Sequence, residues 1–300
     1  MKAMILAAGL GTRLRPLTAN RPKALIPVAN KPIIGRSIDY LKGHGVKKLV
    51  VNAHHLYQQI VDYLGGGKAF GLKIDVRVES EILGTGGGIK NTADFWDDKP
   101  FLVINSDILT NINLEHAYAY HRKSASLATL ILHDCKPFNQ IEVDSNGDII
   151  HISKERGKGK LAFTGIHIME PEILSHIPDG RFSDIIDCYL KLIQSGKSIT
   201  AYVSEGNYWR DIGSVDSYIK ANQDLLEDKP FLMGQECHME SSVKLEQWAV
   251  VGKKTHIEND VEIKRSILWD NVKVKEGIKI IDSIVTSFRE VDRDLIGEIY

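Results

Sequence analysis

Short, nearly continuous apolar stretches alternate with helical periodicities along the first hundred residues. Lys2 to Ala8 is an apolar run that ends in glycine, the form a parallel strand takes when both its faces are covered. Ile33 to His44 spaces its apolar residues for a helix and stops at Gly45. Lys48 to Asn52 predicts a second buried strand, Tyr57 to Leu64 a short helix stopped by three glycines, Leu72 to Val78 a strand, and Phe101 to Asn105 another buried strand. This alternation predicts an α/β fold with a Rossmann-like, doubly wound sheet. Such sheets bind ligands beyond the carboxyl ends of their strands, and Gly9, Asn52 and Asp107 stand just past such ends.

Farther on the pattern changes twice. Leu127 to His133, Gln140 to Val143, Asp148 to Ser153 and Phe163 to Ile168 read as strands and predict a mixed extension of the sheet. Helical stretches from Phe182 to Gly196 and after Ser214 close a first domain over residues 1–226. From about Val243, aliphatic residues recur at short, nearly even intervals, among them Val251, Ile257, Ile263, Ile267, Val272, Ile278, Ile280 and Ile284. A six-residue repeat with one inward aliphatic is the sign of a left-handed β-helix. Residues 227–300 are therefore expected to form a short one, of two or three coils. So few coils need a partner surface, so the tail is expected to dock on the main domain or on another subunit, and a homo-oligomer is expected.

The composition narrows the function classes. With 300 residues, 43% of them hydrophobic, the chain can bury a sizeable core. Its formal net charge is −1 with both signs interspersed, which argues against a nucleic-acid partner. No stretch has membrane-spanning length, and the apolar run at the start is too short for a signal peptide. The three cysteines are widely separated and match no metal or disulfide pattern. A cytoplasmic location is expected. The eleven histidines form no convincing metal set.

The first chemical motif runs Leu6-Ala-Ala-Gly-Leu-Gly-Thr-Arg-Leu-Arg-Pro, with Pro22-Lys23 downstream. Glycines after a buried strand let backbone N–H groups reach phosphate oxygens, and Arg13 and Lys23 can neutralise phosphate charge. A P-loop is absent, and Leu14 stands where a dinucleotide fingerprint needs its third glycine, which disfavours a nicotinamide-dependent oxidoreductase. The segment resembles the signature of the sugar-1-phosphate nucleotidyltransferases, whose mannose-1-phosphate guanylyltransferase and N-acetylmuramate-1-phosphate uridylyltransferase branches it resembles most. The resemblance implies a GT-A-like nucleotidyltransferase fold and a reaction of a nucleoside triphosphate with a sugar 1-phosphate. It assigns the nucleotide to Leu6, Ala8, Gly9, Gly11 and Thr12, with Arg13 and Lys23 as catalytic cations.

Three further segments fit that resemblance. Asp107, after Asn105-Ser106, and Asp211, in Trp209-Arg-Asp-Ile-Gly, match the family's two carboxylates and imply Mg²⁺ as cofactor. Glu79-Ser-Glu81-Ile-Leu-Gly84-Thr85-Gly86 looks like the nucleoside-binding segment. A carboxylate only accepts hydrogen bonds, so Glu79 and Glu81 suit the paired donors of guanine and favour GTP with mannose 1-phosphate. A uridylyltransferase is the alternative. On the acceptor side Asn105, Thr164, Gly165 and one cation, Lys154 first, are expected at the sugar phosphate. The stretch departs there from the family's Glu-Lys-Pro, which leaves Arg156, Lys158 and Lys160 as alternatives. A catalytically silent regulatory homologue is disfavoured because Arg13, Lys23, Asp107 and Asp211 are all present.

Overall fold

In the computed structural model, which describes residues 1–153, 155 and 157–300, the expected alternation is visible strand by strand. Lys2–Leu6 (β1), Lys48–Ala53 (β2), Lys73–Val78 (β3) and Phe101–Asn105 (β4) run parallel in the order β4-β1-β2-β3. Ile33–Gly43 (α1), Tyr57–Leu64 (α2) and Gly84–Lys90 (α3) lie between them in the chain. β1 and β4 carry Ala3, Met4, Ile5 and Leu102, Val103, Ile104 at zero exposure. That is why these stretches read as continuous apolar runs.

The short strand Ile108–Thr110 (β5) and the helix Leu114–His121 (α4) follow, then Ala128–His133 (β6), Asn139–Val143 (β7), Ile149–Ile152 (β8) and Leu161–Met169 (β9). β9 runs antiparallel to both β4 and β6, and β7 and β8 extend the sheet as a hairpin. Ile185–Gln194 (α5) leads to Ile199–Ser204 (β10), which completes the nine-stranded sheet parallel to β6. Its helix begins at an Asp184 cap, whose carboxylate accepts the Ile186 N–H, three residues later than the apolar pattern suggested. α5 seats Ile185, Tyr189 and Leu192 in one core cluster with Met4, Val103 and Leu130. Trp209–Asp211 (β11) pairs antiparallel with β5 outside the main sheet.

The chain divides into two compact units that interleave along the sequence. The first holds residues 1–10, 22–24 and 34–211; the second holds 11–21, 25–33 and 212–300. The physical reason lies on the helix Val215–Asp224 (α6). Tyr218, fully buried there, donates its hydroxyl to Pro27 C=O at 2.8 Å. Asn222 accepts the Ala29 N–H at 2.8 Å. Burying a side chain the size of Tyr218 stabilises by roughly 1.5–3 kcal/mol, and the Leu25–Ile33 hairpin is held to α6 by these contacts.

The tail is a left-handed β-helix, and it is longer than the repeat suggested. One wall stacks Phe231–Met233, residues 249–251, residues 266–268 and Ile284–Val285 in parallel; a second stacks residues 244–246, residues 262–264, Lys279–Ile281 and Leu295–Ile296; a third stacks His238–Met239, His256–Ile257, Lys273–Val274 and Glu290–Val291. Four stacked strands in each wall exceed the two or three coils expected. Ile263 lies beside Ile280, and Ile257 beside Val274, which lies beside Val291, so each coil repeats an inward aliphatic about every seventeen positions. The early coils were hidden because polar residues such as Glu240 and Glu246 interrupt their repeat. No helix among the described residues is long and apolar enough to cross a membrane.

Candidate active site

Three adjacent parallel strands of the first unit end together. Leu6 on β1 is the register partner of Asn52 on β2 and of Asn105 on β4. Beyond these ends the chain is held by hydrogen bonds rather than by the ladder. The Ser106 N–H donates to Leu6 C=O at 3.0 Å, and the Ala7 N–H donates to Asn52 Oδ1 at 2.8 Å. Asn52 passes the link on, its Nδ2 donating to Glu79 Oε1 at 2.7 Å.

Glu79 is 3% exposed, and its other oxygen accepts the Leu83 N–H at 3.1 Å. With both oxygens engaged, this carboxylate supports the entry to α3, where a negative charge also suits the helix dipole. The sequence had placed it on a nucleobase. Glu81, by contrast, is exposed.

α3 itself contains three consecutive glycines, each costing about 1 kcal/mol relative to alanine in a helix. The compensation is close approach by residues 181–184 at Gly86 and Gly87, and by Asn52 and Glu79 at Gly88. Gly86 and Gly87 N–H groups donate to Ser183 C=O at 2.8 and 3.2 Å. A Cβ on Gly87 would lie 2.7 Å from Arg181 C=O oxygen, inside contact distance. Thr85, assigned to the nucleotide from the sequence, donates to Asp184 Oδ1 at 3.1 Å and accepts the Ile185 N–H at 2.9 Å. These glycines therefore make room for the protein's own chain. Gly9 is the opposite case. It is exposed, has no positive φ, and a Cβ there would meet no atom within 4 Å. Nothing in the fold demands glycine at this position. Ala8 beside it is buried at 8% exposure.

Asp107 lies between β4 and β5, and the pairing of β5 with β11 sets Asp211 opposite Ile108, the residue next to Asp107. The ribbon is fixed by Thr110, whose hydroxyl donates to Tyr208 C=O at 2.7 Å, and by the Tyr208 N–H, which donates to Asn111 Oδ1 at 2.8 Å. Two carboxylates far apart in sequence thus become neighbours. Lys23 joins them: its ammonium pairs with Asp107 Oδ2, both side chains nearly buried at 13% and 14% exposure. Among the described residues no three His, Cys, Asp or Glu side chains gather into a metal cluster. A carboxylate pair without a closed cage fits Mg²⁺, which is usually held by one or two carboxylates plus substrate phosphates.

On the acceptor side, β9 shifts register against β6 between Phe163 and His167. Gly165, at φ +77°, occupies the bulge, and a Cβ there would lie 2.7 Å from Asn105 Nδ2. Asn105 and Gly165 therefore come together. Thr164 does not present its side chain: it is fully buried and its hydroxyl donates to Ile131 C=O at 2.7 Å. Trp209, which drew no role from the sequence, donates its indole N–H to Thr164 C=O at 2.9 Å and meets the Phe138 ring edge-on at 5.8 Å. The signal was present, since residues two apart on a strand share a face and Trp209 precedes Asp211 by two. Lys154 and Arg156 lie outside the described residues. Lys160 pairs with Glu142 at 3.0 Å, and Lys158 is exposed.

Thr12 and Arg13 belong to the second unit. Gly11, at φ 67°, starts a tight turn in which the Leu14 N–H and the Thr18 hydroxyl both donate to Gly11 C=O, at 3.0 and 2.9 Å. Leu14 and Leu17 are buried beneath it, which leaves Thr12 and Arg13 exposed.

Comparison with known proteins identifies the family. Residues 2–228 match the nucleotidyl transferase family. A mannose-1-phosphate guanylyltransferase of Mycobacterium tuberculosis is 28% identical over 93% of this chain and 82% of its own. An N-acetylmuramate alpha-1-phosphate uridylyltransferase of Neisseria meningitidis is 35% identical over 72% of this chain and 94% of its own. Among solved structures, HddC of Yersinia pseudotuberculosis in complex with GMP-PN superposes with a TM-score of 0.64 and 26% identity, over 75% of this chain and 99% of the other.

Proposed function

The chain belongs to the nucleotidyl transferase family and is a sugar-1-phosphate nucleotidyltransferase; from that premise we propose GTP and mannose 1-phosphate as its substrates. The observation that carries the site assignment is the β5–β11 pairing, which makes neighbours of Asp107 and Asp211 beside the Lys23 ammonium. Support for guanine comes from Glu81, an exposed acceptor on the segment before α3. The Mycobacterium tuberculosis relative is named a guanylyltransferase, and the Yersinia protein was solved with a guanine nucleotide.

In this reading an oxygen of the sugar 1-phosphate attacks the α-phosphorus in line. A new P–O bond forms, the bond to the bridging oxygen of the β-phosphate breaks, and pyrophosphate leaves with the electron pair. The attacking phosphate is already ionised, so no general base is required, and the protein contributes position and charge. Asp107 and Asp211 would hold Mg²⁺, which supplies charge neutralisation between the two anionic substrates. Arg13 and Lys23 stabilise the charge gathering on pyrophosphate. Gly9 leaves its backbone open to the phosphates, and Asn105 with Gly165 faces the acceptor.

The test is a matrix of nucleoside triphosphates against sugar 1-phosphates, followed by pyrophosphate release. Highest kcat/KM with GTP and mannose 1-phosphate is expected. The identity to the Neisseria meningitidis relative supports a second reading, UTP with N-acetylmuramate 1-phosphate. A maximum at that pair would replace the first reading and remove the base-recognition role of Glu81.

A further inference from the structure

Within the second unit, the segment that carries Thr12 and Arg13 is fastened to the β-helix. Its last residue, Arg21, lays its guanidinium over the Trp269 ring, 4.7 Å from the ring centre, and donates to Ser287 Oγ at 3.1 Å. Trp269 directly follows the strand Glu262–Leu268 and is 3% exposed. Its indole N–H donates to the Tyr218 hydroxyl at 2.8 Å, and that hydroxyl in turn donates to Pro27 C=O at 2.8 Å. Burial pulls Arg21 below its usual basicity, with Asp270 and Tyr218 acting in the opposite sense. A partly desolvated guanidinium on an indole face is held by about 1–2 kcal/mol. The neighbouring hairpin is tied to the same coils, Asn30 Nδ2 donating to Val251 C=O at 2.7 Å.

Two of the three arginines on this short segment are thus used differently. Arg13 is exposed at the turn, whereas Arg21 is committed to a coil of the tail. Between them the segment folds on itself, with the Leu14, Leu17 and Ala19 N–H groups bonded within it. Its free end is therefore set by where Arg21 is clamped.

We propose that Arg21 and Trp269 are positioning residues for the nucleoside triphosphate, and that the coil bearing Trp269 fixes the segment Gly11–Arg21 so that Arg13 is aimed at the phosphates. This rests on the reading of that segment as the triphosphate site. Neither residue touches substrate in this scheme. Their effect is on nucleotide affinity, and the acceptor sugar is left alone.

The experiment uses the full-length chain and the variants Arg21→Gln, Arg21→Lys and Trp269→Phe. Pyrophosphate release is followed with GTP and mannose 1-phosphate, or with the best pair of the substrate matrix. Arg21→Gln is expected to raise KM for the triphosphate about tenfold and to leave KM for the sugar 1-phosphate within about twofold, since a small misplacement of a binding group costs up to two orders of magnitude. Trp269→Phe keeps an aromatic face, smaller than the indole, but loses the N–H, and should fall between Arg21→Gln and wild type. Arg21→Lys, which keeps the cation, should recover part of the loss. Hydrogen exchange supplies a second measurement without substrate, in which the Leu14, Leu17 and Ala19 amides of Arg21→Gln should exchange faster than in wild type. Equal rises in both KM values, or unchanged exchange together with an unchanged KM for the triphosphate, would overturn the proposal. Absence of pyrophosphate release by the wild type with every pair would instead overturn the reading of the site, and the exchange result would still decide whether the coil orders the segment.

Discussion

Asp107 meets Lys23 in the structure, so one of the two carboxylates assigned to the metal already has a cationic partner. A charge-assisted hydrogen bond of this kind holds both groups in place. Asp107→Asn retains the shape and removes the charge. Its kcat is expected to fall about 10²–10³-fold, while circular dichroism and the melting temperature stay close to wild type. Glu79 is predicted to behave in the opposite way. Glu79→Ala leaves Asn52 Nδ2 and the Leu83 N–H without their partner, which should cost about 1–3 kcal/mol of stability in urea unfolding. The ranking of nucleotides should not change. A reversed preference between GTP and UTP in Glu79→Ala would restore the base-reading role that its burial denies it. From the letters alone Glu79 and Glu81 looked equivalent; only burial separates them.

At the scale of elements, the two glycine-rich stretches looked alike in sequence and differ in cause. Around Gly9 the glycine faces open space, and around Gly87 it faces residues 181–184. Gly9→Ala should therefore unfold at the wild-type denaturant concentration yet bind triphosphate more weakly, read as a raised KM. Gly87→Ala should lose about 1–3 kcal/mol of stability through overpacking, with a lower urea midpoint, because a backbone carbonyl 2.7 Å away can yield only if the segment shifts. The strands and helices of the first hundred residues were legible because apolar periodicity reports burial directly. α3 was not, because three glycines in a row contradict helix propensity and only tertiary packing, against residues 181–184 at Gly86 and Gly87 and against Asn52 and Glu79 at Gly88, explains them. The short ribbon strands β5 and β11 were missed for a related reason: three residues are too few to show a period.

For the whole molecule, two buried histidines make stability depend on acid. Burial pushes His121 down to about 4 and His167 to about 3. His121 Nδ1 is bonded to Thr129 and Glu170 lies 3.4 Å from its Nε2; His167 pairs with the Tyr189 hydroxyl. Both remain neutral in the native protein while the unfolded chain takes up protons near pH 6.5. Stability is thus fully present above that pH and falls as pH drops from about 6.5 towards 4, by up to about 2.7 kcal/mol per pH unit if both sites contribute one proton each. Chemical denaturation between pH 7.5 and 5 measures this slope. Replacing His121 by Gln should roughly halve the slope, and an unchanged slope would count against this source.

The reaction class was present in the sequence by itself. Glycines after a buried strand, Arg13 and Lys23 downstream, and two aspartates in recognisable surroundings are local patterns, and local patterns survive without coordinates. The doubly wound sheet was equally legible, since continuous apolar runs between helical segments admit few other arrangements. The tertiary structure decided which residues of those patterns remain available for chemistry. It spends Glu79, Thr85 and Thr164 on the fold and leaves Gly9, Glu81 and Arg13 open. It brings Asp211 beside Asp107 and gives Trp209 a task. It also groups the Gly11–Arg21 segment with the coils of the tail, far away in sequence. Availability and long-range pairing depend on what else is packed nearby, which no short stretch of sequence records.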